Sequence, residues 1–144
     1  MTTSTLYTLC GAPGSGKSTY SIQLAEQAGA ERYSFDEYPG ACDPRITKQA
    51  KQQMYDDVYH ALTEGRDVVL DDLHTKKEWR VNLLSILQGA KCRKVLIVMT
   101  TPLEECLIRN QQRMRRLPDF VVKKTWQDYE KPDLNEGWDE IVYF

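Results

Sequence analysis

Residues 11–18 read Gly-Ala-Pro-Gly-Ser-Gly-Lys-Ser, a complete G-x-x-x-x-G-K-[ST] run. It stands between an apolar stretch, residues 5–10, and a segment with helical character, residues 18–28. This context matters, because the pattern works only as a strand–loop–helix unit. Glycines let the backbone curl so that N–H groups converge on an anion, and the start of the following helix adds partial positive charge. Gly11, Ala12, Pro13, Gly14, Ser15, Gly16 and Lys17 are therefore assigned to nucleotide phosphates. Lys17 is placed to reach the β- and γ-phosphates of ATP, and Ser18 to coordinate Mg²⁺ through its hydroxyl. Thr19 ranks behind Ser18 as a ligand. The loop leaves the phosphate acceptor open, since ATPases, GTPases and kinases share it.

The rest of the chain repeats this unit. Strand-like runs are read at residues 32–35, 67–70, 94–99 and 140–143, and helices at 44–64, 75–88, 102–114 and 119–130. In the long helix Ile46, Ala50, Met54, Val58, Ala61 and Leu62 recur near helical spacing. Thr75 and Glu78 have capping-box spacing, and Gly89 fits a helix stop. The alternation implies one α/β domain over residues 1–144, with a parallel sheet covered by helices on both faces. Ligands of such sheets bind at the carboxyl ends of the strands.

A chain of 144 residues can bury a core without disulfides, and its four cysteines, at 10, 42, 92 and 106, show no C-x-x-C pair. With no signal-like N-terminus and no long apolar run, these features point to reduced thiols in a cytoplasmic protein. Cys10 and Cys92 are expected to be packing residues. The net charge of −2 excludes an overall basic protein but not a local basic face.

Acidic residues follow two of the strands. Asp36 ends the second, where a carboxylate can orient an attacking hydroxyl and accept its proton. Asp71 and Asp72 end the third, the position from which an acid holds Mg²⁺ directly or through water. Adjacent residues cannot both point at the metal, so the choice stays open. Arg109 and Arg113 are four apart on one helical face and can clamp a transferring phosphoryl group. Arg115 and Arg116 are nearer Pro118 and fit a mobile lid; a solvated charged face is the plainer alternative for the whole run.

These segments, GAPGSGKST, SFDEY, VVLDDLHTKKEWR and RNQQRMRRLP, resemble in order and spacing the P-loop polynucleotide 5′-hydroxyl kinases of the phage and bacterial repair type. The resemblance spans nearly the whole chain. It implies a five-stranded sheet of order 2-3-1-4-5, as in adenylate kinases, with an Arg-rich lid. It implies Asp36 as general base for a 5′-hydroxyl of DNA or RNA, Arg113 on the phosphates with Arg109 in support, and Arg80 on the substrate-side phosphate. His74 stands where the family often has asparagine and could hydrogen-bond substrate. Relatives with this core phosphorylate small molecules, so a nucleoside or metabolite kinase is one alternative and a P-loop ATPase or binding module another. Oligomeric state and preference between ATP and GTP are not legible.

Overall fold

A computed structural model describes residues 3–114 and 116–144. Five strands form one parallel sheet: β1 (Ser4–Cys10), β2 (Glu31–Ser34), β3 (Val68–Asp71), β4 (Cys92–Val98) and β5 (Glu140–Tyr143). Their order is β2-β3-β1-β4-β5, the order that the resemblance implies. Strand β1 is central, pairing with β3 (Leu9 opposite Asp71) and with β4 (Cys10 opposite Val98). Ser34 of β2 lies opposite Asp71, so the candidate acids and the phosphate loop emerge at one sheet edge.

Helices α1 (Lys17–Ala28), α2 (Thr47–Thr63), α3 (Lys77–Ile86), α4 (Leu103–Gln111) and α5 (Asp119–Gln127) connect or flank the strands. The larger core lies where α2 and α3 meet the sheet. There Leu6, Met54, Val58, Leu70, Leu83 and Leu96 lose all contact with solvent. The opposite face is thinner, with Leu9, Val95 and Ile97 covered by Tyr20 and Leu24 of α1. Cys10 belongs to the larger core, and burial pushes its thiol up to about 11. Cys92 is buried in the same cluster, so both cysteines pack as the sequence suggests. Among the described residues no helix is long and apolar enough to cross a membrane.

Two helix ends differ from the sequence reading. The Thr75–Glu78 capping box does not form: α3 starts at Lys77, Lys76 is the extended residue before it, and no side chain caps it. Instead, the Thr75 carbonyl accepts from Arg80 Nη1 at 3.0 Å and from the Glu130 amide at 2.9 Å, which draws Thr75 away from the helix axis. Gly89 does not end α3, which stops at Ile86. Its lack of a side chain makes room for Tyr59, whose hydroxyl oxygen would lie 2.5 Å from a Cβ at that position.

Candidate active site

The phosphate loop is held by neighbours on both sides. Gly11 donates to the Leu73 carbonyl (3.0 Å) and Ser15 to Ala12 (3.1 Å). Gly14 and Gly16 have φ of 80° and 93°, a left-handed backbone that side chains disfavour. A Cβ on Gly14 would also stand 2.3 Å from the Cys106 carbonyl oxygen, so α4 approaches the loop backbone directly. A Cβ on Gly16 would lie 2.8 Å from Nη1 of Arg109. That guanidinium therefore rests against the loop, paired with Glu105 at 2.7 Å. Tyr20 donates to Gly16, which leaves the amides of Lys17, Ser18 and Thr19 as the unpaired donors of the first helical turn. This cradle suits a polyphosphate.

A cleft of about 730 Å³ opens beside the loop. It is lined by Pro13, Gly14, Gly16, Lys17, Ser18 and Thr19 of the loop, by Asp36, Asp71, Asp72 and His74, and by Arg109 and Arg113. A second, shallower cleft, bordered by residues 34–44, shares Ser18, Asp36 and Arg113 with the first. Asp36 lies in a one-turn 3-10 helix, Phe35–Glu37, and is largely exposed. Its carboxylate stands 4.0 Å from the Arg113 guanidinium. Arg113 follows the end of α4, and buried Asn110 staples the loop beyond it: its amide donates to the Leu117 carbonyl (2.7 Å) and its oxygen accepts from the Leu117 amide (3.2 Å). Arg115 lies outside the described residues, and Arg116 is exposed.

The two strand-end acids have separate partners. Asp71 is nearly buried and accepts from Arg32 Nη2 at 3.1 Å. The Ser21 hydroxyl lies 3.1 Å from the same oxygen and 2.9 Å from the Ser18 carbonyl, which places Asp71 beside the Ser18 turn. Arg32 also reaches Ser21 through Nε (2.7 Å) and pairs with Glu37, the neighbour of Asp36. Asp72 pairs with Lys51 of α2, whose ammonium lies 4.1 Å from the centre of the Phe35 ring. Burial opposes ionisation of Asp72, but the Lys51 ammonium and the Leu73 amide, which donates to it at 2.8 Å, hold its carboxyl below the ordinary range. Among the described residues no cluster of three or more His, Cys, Asp or Glu could cage a metal alone.

One predicted substrate contact needs correction, and a second is more enclosed than its loop position suggests. Arg80 does not face the cleft: it is fully buried, and all five of its N–H donors are used. Nε and Nη2 bind Glu136 (2.9 and 3.1 Å), Nη1 binds the carbonyls of His74 and Thr75 (both 3.0 Å), and Nη2 also binds the Glu130 carbonyl (2.9 Å). It is a structural clamp on the loop after β3. His74 borders the cleft at φ 47°, yet both ring nitrogens are buried without a hydrogen bond. Burial pushes its imidazole down, toward the neutral form. Sequence reasoning missed Arg32, Lys51 and Asn110: Arg32 and Lys51 belong to no motif, Asn110 stands between the two arginines that drew attention in RNQQRMRRLP, and each acquires its partner only through the fold.

The AAA domain family matches residues 6–132. Among curated proteins the chain is similar to L-seryl-tRNA(Sec) kinase of Methanococcus maripaludis, at 25% identity over 93% of this chain and 56% of that protein. It is also similar to Protein KTI12 homolog of Arabidopsis thaliana, at 23% identity over 96% of this chain and 51% of that one. The chain thus spans about half the length of the curated relatives it matches. Three solved structures share its fold. They are a chain of the Pnkp1/Rnl/Hen1 RNA repair complex (TM-score 0.79, 19% identity, 89% of this chain and 44% of that one), Chaetomium thermophilum Kti12 in complex with ADP-AlF3 (0.68, 21%, 96% and 88%), and a gluconokinase from Sinorhizobium meliloti 1021 (0.67, 17%, 99% and 83%). With a phosphate loop at the edge of a 2-3-1-4-5 sheet and a family match over most of its length, the chain belongs to the AAA domain family and has the P-loop kinase fold.

Proposed function

We propose that this chain is a phosphotransferase that moves the γ-phosphate of ATP to a hydroxyl group, with the 5′-hydroxyl end of DNA or RNA as acceptor. The observation that carries the reading is the meeting of Ser18, Asp36 and Arg113 where the two clefts join, with Asp36 and Arg113 4.0 Å apart. The first cleft contains the phosphate loop together with Asp72 and the α3 wall, and the second gives a further opening onto Asp36. Lys17 and the loop amides hold the β- and γ-phosphates. Arg109, against Gly16, and Arg113 neutralise charge that builds on the transferring group. Asp36 takes the proton of the acceptor hydroxyl, whose oxygen bonds to the γ-phosphorus as the bond to ADP breaks. Ser18 and Asp71, joined through Ser21, are the residues that would hold Mg²⁺, which when bound neutralises the β- and γ-phosphates. Asp72, tied to Lys51, belongs to the acceptor side.

The nucleic-acid part of the reading is supported by the names of the relatives, a tRNA kinase and an RNA repair complex. A nucleotide at the loop is supported by the ADP-AlF3 in the Kti12 structure. A second reading, a small-molecule kinase, is favoured by the withdrawal of Arg80, the cation offered for a substrate phosphate. Transfer from γ-labelled ATP separates the two. A 5′-hydroxyl oligonucleotide becomes labelled, a 5′-phosphorylated one does not, and the affinity for the former falls as salt rises. Label on nucleosides or sugars alone would establish the second reading, and release of free phosphate alone would establish an ATPase.

A further inference from the structure

We propose that Trp79 and Asn82 form the seat for the base of the acceptor's terminal nucleoside, an inference that rests on the nucleic-acid reading above. Both residues line the cleft that contains Asp36 and the phosphate loop. They stand three apart on α3, hence on one helical face. Trp79 is 39% exposed, whereas Trp138 is buried in the core at 3%.

The three tryptophans differ in a second way. Trp126 donates its indole N–H to the Thr101 carbonyl (3.2 Å) and Trp138 donates to Glu136 (3.0 Å). Among the described residues the Trp79 indole N–H and the Asn82 amide have no hydrogen-bond partner. The α3 side of the cleft therefore presents an aromatic face and an amide with free donor and acceptor edges.

Two of the cations nearest this wall are already committed. Lys51 is committed to Asp72, and Arg80 is saturated by Glu136 and three carbonyls. Lys76 lies 5.2 Å from the Trp79 ring centre, over one face of the ring. A nucleobase brings a flat π-face for the indole and polar edges for the amide. The terminal nucleoside of a 5′-hydroxyl strand is uncharged beside its reacting oxygen, which matches this wall.

The experiment compares two 5′-hydroxyl oligonucleotides that differ only in the first nucleotide, one natural and one abasic, with γ-labelled ATP. The natural end is phosphorylated with a KM about tenfold lower, the change that loss of one stacking contact gives. In Trp79→Ala the ratio between the two collapses toward one; Asn82→Ala narrows it independently should the tryptophan variant fail to fold. Equal KM values for both ends in the wild type, or an unchanged ratio in a folded Trp79→Ala, would overturn the seat and leave the kinase reading standing. Failure to label either oligonucleotide while a small-molecule acceptor is labelled would overturn the nucleic-acid reading, and the seat with it.

Discussion

At the scale of single residues, the phosphate loop is the part most directly encoded. Gly14 is required twice, by its φ of 80° and by the Cys106 carbonyl packed against it. Gly14→Ala should therefore cost about 1–3 kcal/mol in the nucleotide-binding geometry. Calorimetry should show ATP affinity falling by tenfold or more, and unaltered affinity would mean that the loop relaxes freely. The motif was legible because its spacing carries the mechanism. Arg80 was not: a basic residue beside two acids looks the same whether it turns outward or inward. What turns it inward is Glu136, 56 positions later. Asp71 and Asp72 are likewise distinguished only by partners from other elements, Arg32 for one and Lys51 for the other.

At the scale of elements, strands were easier to place than helix ends. Doubly covered strands read as unbroken apolar runs, as residues 94–99 do over most of β4, and the edge strand β5 matches residues 140–143 although it is part exposed. Helix α2 begins at Thr47 rather than at Pro44, because Asp43 and its neighbours form hydrogen-bonded turns first. Between elements, Arg32 of β2 links Glu37, in the turn that carries Asp36, to Asp71 at the end of β3. This relay should fix the base relative to the phosphate loop. Arg32→Gln is expected to lower kcat on the order of ten- to a hundredfold with little change in KM for ATP, the scale of a misplaced reacting group. Glu37→Gln should share most of that effect, so that the double variant is little worse than Arg32→Gln alone. Effects that simply multiply in steady-state kinetics would show that the two side chains act separately.

At the scale of the whole molecule, strand order followed from recognising the family's motifs, while the cleft did not. Its walls come from residues 13 to 125, which only the folded sheet brings together. The Arg80–Glu136 pair joins α3 to the turn Leu134–Glu136 before β5, with side chains 0% and 1% exposed. Breaking a buried pair by removing one partner typically costs about 3–5 kcal/mol, so Arg80→Met should unfold at markedly lower denaturant. Burial opposes the Glu136 charge, but hydrogen bonds from Arg80 and Trp138 hold its carboxyl below the unfolded value of 4.5. That contribution is complete above pH 4.5 and is lost as pH falls through the lowered folded value. Glu136→Gln should accordingly flatten the acid limb of a stability–pH profile; an unchanged limb would assign it to other carboxylates. The central claim is that the phosphate loop and Asp36 act together in phosphoryl transfer to a hydroxyl. It is tested most directly by single-turnover transfer from γ-labelled ATP to a 5′-hydroxyl oligonucleotide by wild type and Asp36→Asn, with ATP affinity measured in parallel. The account predicts transfer slowed by about 10²–10⁴, the usual contribution of a general base, with ATP affinity retained; transfer at the wild-type rate in Asp36→Asn would contradict it.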